Sequence, residues 1–438
     1  MVSRKQRVRT IILVIILAAA IVGGVFAISY FKVGVTFPWQ VTGIREQQDT
    51  AQAETHEESK TEPKLVVKEA SKTEKKEETK VEDTKSEEDS KTVSEEEITE
   101  ESTENIAKTG QKLDYYGALH VEDGKLYDEV GNEVRLSGVS SNGLTWYPQF
   151  ITADAIKSLR DNWGINVFRL AMYTSDYNGY CVGGAENQDY VKDIIDDIVK
   201  AAADNEMYVI IDWHISNDSN PNEYKSDAIQ FFGEMVRKYE SNDNVIYEIC
   251  NEPSGDTTWE DVKSYAKEVI PVIRRIDRDA LILVGTPEGC TDLDSVLDDP
   301  LDFNNIMYTY HFNAGTQKSS QRNVLINAVE EGLPVFVSQY SYYPVDGVGE
   351  LDEREATRWN DLMDDYNLSS CIWNLSNSDE GAALINQSCD KYYDFEYDDL
   401  SEQGKYFFDK LSDNRKKAEI PEKDDIKEII DSKETKKR

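Results

Sequence analysis

The group best placed to do chemistry is Glu252 in Cys250-Asn251-Glu252-Pro253, where the apolar run Val245 to Ile249 ends in a turn fixed by proline. An amide beside a carboxyl at such a point suits acid/base work, with the carboxyl delivering a proton to a leaving oxygen. Cleavage of a glycosidic bond with retention needs a second carboxylate about 5 Å from the first, one acting as acid/base and the other as nucleophile. The later run Val335-Phe336-Val337-Ser338-Gln339-Tyr340 offers an amide, Gln339, in that role. Arg169, His214, His311 and Trp373 close other apolar runs and complete a polar and aromatic set.

Elements able to position these groups lie between Gln111 and Asp413, where β-branched and aromatic runs alternate with amphipathic stretches. A hairpin is expected around Asp123-Gly124 and Gly131-Asn132. Strands are expected at Val134 to Val139, Asn166 to Ala171, Tyr208 to Trp213 and Val245 to Cys250, then at Leu281 to Gly285, Ile306 to His311, Val335 to Ser338 and Cys371 to Leu375. Helix-like stretches such as Tyr190 to Ala203 and Trp259 to Ile276 follow them. Eight such units in about 300 residues predict an α/β fold of the (β/α)8 TIM-barrel type. A doubly wound open sheet is the competing architecture, weakened by the absence of a GxGxxG or P-loop after the first strand.

Functional side chains of such a barrel stand at the C-terminal ends of its strands. In order these are Ser140, Ser141 and Asn142, Arg169 and Tyr173, Trp213 and His214, Asn251 and Glu252, His311 and Asn313, Gln339, and Trp373. Aromatic faces with hydrogen-bonding groups between them suit a sugar ring, which has apolar C–H faces and a polar rim. The seventh strand lies across the mouth from the fourth, so Gln339 is expected opposite Glu252.

The segment from Gly117 to Leu411 resembles glycoside hydrolase family 5, and most of all its bacterial endo-β-1,4-glucanase (cellulase) branch. The resemblance rests on Ser140-Ser141-Asn142-Gly143-Leu144-Thr145-Trp146-Tyr147, Trp163-Gly164-Ile165-Asn166-Val167-Phe168-Arg169, Val209-Ile210-Ile211-Asp212-Trp213-His214 and Val245 to Pro253, with Tyr310-His311-Phe312 and Trp373-Asn374-Leu375-Ser376 extending it. It implies that Arg169, His214, Asn251, Glu252, His311 and Trp373 occupy catalytic-centre positions. Glu252 then has the acid/base place, and Asn251 the place that holds the sugar 2-hydroxyl. Asn142, Trp146, Tyr173, Trp259 and Asn313 join the expected substrate-binding set.

The departures gather on the other half of the mechanism. Gln339 stands where the family has its nucleophilic Glu, and Asn313 where a tyrosine touches that nucleophile. Asn142 replaces a substrate-facing histidine, and Ser378 a lysine in the loop after the eighth strand. Gln339-Tyr340-Ser341-Tyr342-Tyr343-Pro344 replaces a glutamate-tryptophan-glycine stretch. Glutamine keeps the shape of Glu but has no anionic oxygen to attack the anomeric carbon or balance an oxocarbenium-like transition state. Without a carboxylate neighbour, Glu252 is also expected to titrate lower.

The expectation is therefore a glucan-binding barrel that is catalytically silent or badly impaired. Two alternatives stay open: an active hydrolase that recruits Asp346, Glu350 or Asp379, and a tethered adaptor that binds protein through the barrel surface. Trp146, Trp259 and Trp373 have a second reading as core aromatics. Tyr340, Tyr342 and Tyr343 could close the cleft, line it, or contact another protein. The acid-rich runs Asp292 to Asp302 and Asp394 to Asp399 lack the glycine and terminal glutamate of a calcium loop, so they read as solvated surface. No metal or cofactor is expected.

The rest of the chain reads as appendages. Basic residues in 1–10 precede an uncharged run of 21 residues, Ile11 to Phe31, long enough to cross a bilayer as a signal anchor with the barrel outside the cell. The competing reading is secretion after cleavage near Val25-Phe26-Ala27. Residues 46–110 hold 21 acidic residues, 10 Lys and no Phe, Trp or Tyr, which predicts a disordered, self-repelling stalk. Residues 414–438 read as a charged tail. Five scattered cysteines imply no disulfide framework.

The chain has 438 residues and a net charge of -37, and most of that charge falls on residues 111–413, with 57 acidic against 23 basic side chains. This excludes nucleic acid and other polyanions as expected partners and is compatible with a neutral β-glucan.

Overall fold

The computed structural model describes residues 116–418. The anchor at 11–31 with its basic flank 1–10, the stalk at 46–110 and most of the tail lie outside the described residues. Within the described residues no helix is long and apolar enough to cross a membrane.

A hairpin, β1 (His120–Glu122) and β2 (Lys125–Tyr127), opens the described chain. Its turn is Asp123-Gly124, both at positive φ (48° and 77°), a pairing that matches the twist of the flanking strands. Eight parallel strands follow: β3 (Ser137–Ser141), β4 (Val167–Tyr173), β5 (Tyr208–His214), β6 (Val245–Glu248), β7 (Ile282–Val284), β8 (Ile306–Asn313), β9 (Val335–Ser341) and β10 (Ser370–Leu375). They form a closed barrel in sequence order, with β10 pairing back onto β3. Gly138 is required where β3 meets β4, since a Cβ there would lie 2.0 Å from the Val167 carbonyl oxygen.

The connecting helices are α1 (Ala153–Ser158), α2 (Ala185–Asp204), α3 (Lys225–Tyr239), α4 (Trp259–Arg274), α5 (Asp294–Asp298), α6 (Ser319–Glu330), α7 (Glu353–Asp365) and α8 (Glu402–Ala418). Thr258 and Asp261 cap α4 reciprocally, fixing where that helix leaves the mouth. The final helix runs through Ala418, past Asn414, where the sequence reading began a tail: Asn414 to Ala418 contains no breaker, and Arg, Lys and Ala favour helix.

Strand alternation divides the apolar residues into two layers. Val167, Tyr208, Ile210, Ile246, Leu281, Leu283, Met307, Phe336 and Cys371 fill the barrel interior. Leu119, Leu126, Val134 and Leu136 belong to the same cluster and close its N-terminal end. The first strand begins at Ser137 rather than Val134, and Val134 and Leu136 before it help plug the bottom. Alternate residues on each strand, such as Phe168, Trp213, Tyr247 and Tyr308, point outward into the larger core beneath the helices.

One irregularity positions the site. Between β8 and β9, Thr309 pairs with Phe336 but His311 with Gln339, so three residues of β9 span two of β8. The same slip appears against β10, where Ser370 pairs with Val337 and Ile372 with Tyr340. This bulge lets consecutive residues, Ser338 and Gln339, both reach groups of the barrel mouth, which strict alternation forbids.

Candidate active site

Arg169 rises from β4 into the centre of the mouth and is fully buried. Its guanidinium donates to Glu248 through Nε (2.6 Å) and Nη2 (3.1 Å), to Asn251 Oδ1 (2.7 Å) and to Gln339 Oε1 through Nη1 (3.1 Å), and it pairs with Asp212 at 2.9 Å. Burial alone would lower its pKa, but Asp212 and Glu248 overcome this and hold it above the usual arginine range. Removing any one member of this network would leave a buried charge unpaired. Arg169 thereby sets the orientation of both amides beside it.

Glu252 and Gln339 meet as expected. Gln339 Nε2 donates to Glu252 Oε1 at 3.1 Å, and His311 Nδ1 lies 2.8 Å from the same oxygen. His311 Nε2 is 2.9 Å from Ser338 Oγ, which donates to Glu248 Oε1 at 2.8 Å. The Gln339 amide can satisfy Arg169 and Glu252 in one orientation only, with oxygen toward the cation and nitrogen toward the carboxylate. Glu252 keeps 36% of its side chain open to solvent. Burial pushes its pKa up, but the His311 hydrogen bond and the positive charge of Arg169 bring it below the ordinary glutamate value.

Beneath this contact, Asp212 Oδ2 lies 2.6 Å from His214 Nδ1. Burial, opposed by Arg169 and helped by Glu252, pushes Asp212 up to about 7. Burial and then Arg169 lower His214 to about 3, so its imidazole is neutral over the ordinary range. Asn251 Nδ2 donates to the Ile215 carbonyl (3.1 Å) and lies 3.4 Å from His214 Nε2, which fixes the amide between Arg169 and the ring.

The cleft floor is a row of rings. Trp146 stacks on Tyr173 (centroids 4.2 Å apart, 21° between planes), Tyr173 packs on His214 at 4.3 Å, and His214 stacks on Trp373 at 5.5 Å and 9°. The Tyr177 carbonyl holds the Trp146 indole N–H at 2.8 Å. Trp146 and Trp373 are partly exposed, so their faces remain available to a flat apolar ligand. Asn142 adjoins them and donates to Glu380 Oε1 at 3.1 Å and toward Ser376 Oγ at 3.4 Å. Asn313 ends β8 beside this mouth, and its side chain makes no hydrogen bond to Gln339 or Glu252 among the described residues.

Other residues stand elsewhere. Trp259, only 6% exposed, lies outside the barrel wall, donating to the Asp299 carbonyl at 2.8 Å with its edge on Tyr308. Trp213 points outward among Tyr180, Phe231 and Phe232, because it alternates with the inward His214. Tyr340, Tyr342 and Tyr343 are core: Tyr340 stacks on Phe312, which stacks on Trp359 at 3.9 Å, and Tyr342 and Tyr343 bond Asn360 and Glu402. Tyr340 and Tyr342 thus belong to the outer core, while Tyr343 also lines a pocket with Ser378 and Glu380 of the loop after β10.

Sequence reasoning missed four participants: Asp212, Glu248, Ser338 and Glu380. The first two could have been found as acidic residues inside otherwise apolar strands, a pattern that demands a buried partner. Ser338 needed the bulge, and Glu380 sits in a loop with no periodic signal.

The cellulase family (glycosyl hydrolase family 5) matches residues 127–379. The chain is 60% identical over 415 residues to "Endoglucanase A" of Butyrivibrio fibrisolvens, covering 94% of this chain and 95% of that one. It is 43% identical over 270 residues to an endoglucanase of Clostridium saccharobutylicum, spanning 59% of that protein's length. Among solved structures, "Cellulase Cel5C_n" superposes with a TM-score of 0.64 at 37% identity, covering 68% of this chain and 93% of the other. A Glu-to-Gln variant of the catalytic domain of Thermobifida fusca endoglucanase Cel5A, in complex with cellotetraose, gives a TM-score of 0.64 at 33% identity, covering 68% of this chain and 98% of that one. With the closed barrel and the Arg169, Asn251, Glu252, His311 constellation at its mouth, these matches establish that the chain belongs to glycoside hydrolase family 5, the cellulase family.

Proposed function

We propose that the barrel binds a β-glucan along the ring-lined cleft and is catalytically silent or strongly impaired as a hydrolase, because Gln339 occupies the nucleophile position. The observation that carries this is the contact of Gln339 Nε2 with Glu252 Oε1 at 3.1 Å, with Gln339 Oε1 turned to Arg169. The group facing the acid/base carboxyl is an amide locked by two partners, and it has no electron pair with the basicity of a carboxylate. The lowered pKa of Glu252 supports the same reading, since an acid that ionises early holds little proton for a leaving group at neutral pH. That a family barrel with a Glu-to-Gln replacement holds cellotetraose supports retained binding.

The second reading is an active endoglucanase with a recruited carboxylate, favoured by the 60% identity to a protein named endoglucanase. Against it, Asp346, Glu350 and Asp379 are all exposed. Reducing-sugar release from a soluble β-glucan separates the two. The silent reading expects a near-zero rate that rises steeply in Gln339→Glu, whereas a substantial wild-type rate little changed by that replacement establishes recruitment.

We also propose that residues 11–31 tether the barrel outside the cell membrane, with 46–110 as a spacer, on the strength of the basic flank, the uncharged run and the acidic low-aromatic segment. Retention of full-length chain in carbonate-washed membranes is expected. A soluble product beginning near Ile28 would instead assign a cleaved signal.

A further inference from the structure

Behind Glu252 runs a chain of contacts that the roles of Glu252 and Gln339 leave unexplained. Glu252 Oε1 lies 2.8 Å from His311 Nδ1, His311 Nε2 lies 2.9 Å from Ser338 Oγ, and Ser338 Oγ lies 2.8 Å from Glu248 Oε1. His311 is 3% exposed and Ser338 and Glu248 are fully buried, so the inner contacts are closed to bulk solvent. Each of the three contacts must hold one hydrogen, because two lone pairs facing each other at such distances repel and leave buried acceptors unsatisfied. The serine brings one hydrogen and a neutral imidazole brings one. With both carboxyls ionised the chain is one hydrogen short, so it must hold an extra proton.

Arg169 decides where that proton sits. Burial favours a proton on Glu248, with Arg169 the chief opposing influence. The guanidinium donates to Glu248 Oε2 at 2.6 Å and to Oε1 at 3.1 Å, a pair of charge-assisted bonds that suits the carboxylate. An ionised Glu248 accepts the Ser338 hydroxyl hydrogen, and the serine oxygen then accepts from His311 Nε2–H. The extra proton therefore falls on the contact of His311 Nδ1 with Glu252 Oε1. Whether imidazolium faces carboxylate or imidazole faces carboxylic acid, the pair is neutral, which costs less to bury than a lone anion. Burial opposes a full charge on the ring and Glu252 favours it, so the proton is shared across the contact. The other titratable groups that act on this pair are Glu248, Arg169 and Tyr173 on β4, Asp212 and His214 on β5, and Cys290.

We infer that Ser338, held by Glu248, fixes His311 with Nε2 protonated and thereby makes Glu252 and His311 a dyad that keeps one proton between them at neutral pH. Ser338 is a positioning residue for the acid/base carboxyl: the β9 bulge that brings Gln339 to Glu252 also sets its neighbour against His311. A proton that Glu252 gives up early then stays one contact away, on the ring. This goes beyond the glycan-binding reading and concerns the mouth without sugar.

Nitrogen NMR of the full chain, isotopically labelled at its four histidines and held near neutral pH without sugar, tests the inference. His311 is expected to show a protonated Nε2, and the wild-type spectrum decides this by itself. In Ser338→Ala the Nε2 hydrogen loses its acceptor, and the ring is expected to lose that proton and keep Nδ1–H on Glu252. His214, whose Nδ1 contacts Asp212 instead, should keep its signals, which separates loss of the serine hydroxyl from a general disturbance of the mouth. A thermal melt confirms that the variant is folded. A wild-type His311 with Nδ1 protonated and Nε2 bare overturns the inference. A protonated Nε2 that persists unchanged in Ser338→Ala overturns the assignment to Ser338.

Discussion

The two sides of the mouth are built with unequal completeness. On the β6 and β8 side, Glu252 is in place with Asn251 before it, His311 on its oxygen and Arg169 beneath. On the β9 side, Gln339 faces that carboxyl as a hydrogen-bond donor, and among the described residues the side chain of Asn313, at the end of β8, makes no hydrogen bond to either. The β9 bulge and the Arg169 contact hold residue 339 against Glu252, where it presents an amide rather than a carboxylate. A hydrogen-bond network needs only the shape and polarity of residue 339, whereas the loss of activity proposed above turns on its charge.

The largest test of that contrast restores the charge. Gln339→Glu is expected to raise turnover on a soluble β-glucan by roughly 10^4-fold or more, the scale lost when a nucleophile is removed elsewhere. Adding Glu252→Gln to that variant should return the rate to baseline. A gain below about tenfold would mean that other positions around Gln339, Asn313 at the end of β8 above all, also limit the reaction.

Next in size is the shared support. Arg169→Met strands Asp212 and Glu248 in the interior and is expected to cost roughly 3–5 kcal/mol, visible as a large fall in melting temperature. A small fall would show that both carboxyls are already protonated and need no cation.

Ring contacts come third. Trp373→Ala should weaken oligosaccharide binding about tenfold. Trp259→Ala should leave binding unchanged while lowering stability, because that indole packs outside the barrel wall. The pair distinguishes cleft from core by calorimetry and thermal melts.

The smallest expected effect is on titration. In the folded chain Glu252 is held below its ordinary value, so it supports stability above its unfolded pKa and loses that support as the pH falls through the folded one. Gln339→Glu replaces a donor by a like charge, which must raise the pKa of one carboxyl of the pair. Carbon NMR of the labelled carboxyl should show the midpoint moving up by about a unit or more. No movement would place the new carboxylate out of reach of Glu252.

How far the sequence revealed this molecule depended on what each signal encodes. The eight strands were legible because apolar runs bounded by turns are a local property, and all eight expected segments overlap observed strands. Glu252, Gln339, Arg169, His214 and His311 were legible because barrel topology places strand ends together. Trp213 and Trp259 were misplaced because an aromatic at a strand end or helix start gives no hint of which layer it enters. Outward alternation decided Trp213, and packing on Tyr308 decided Trp259. The tyrosines after Gln339 left three readings open, and Phe312 and Trp359, distant in sequence, provide the stack that absorbs Tyr340 and, through it, Tyr342. Nor is the β9 bulge visible locally, since it exists only relative to β8 and β10.

The central claim, binding with little or no cleavage, is tested most directly by one incubation of the full chain with cellotetraose, with binding followed by calorimetry and the sugar analysed by mass spectrometry after prolonged contact. A saturable heat with the tetraose recovered intact is the predicted result. Conversion to cellobiose or other shorter sugars at a rate proportional to enzyme would contradict it.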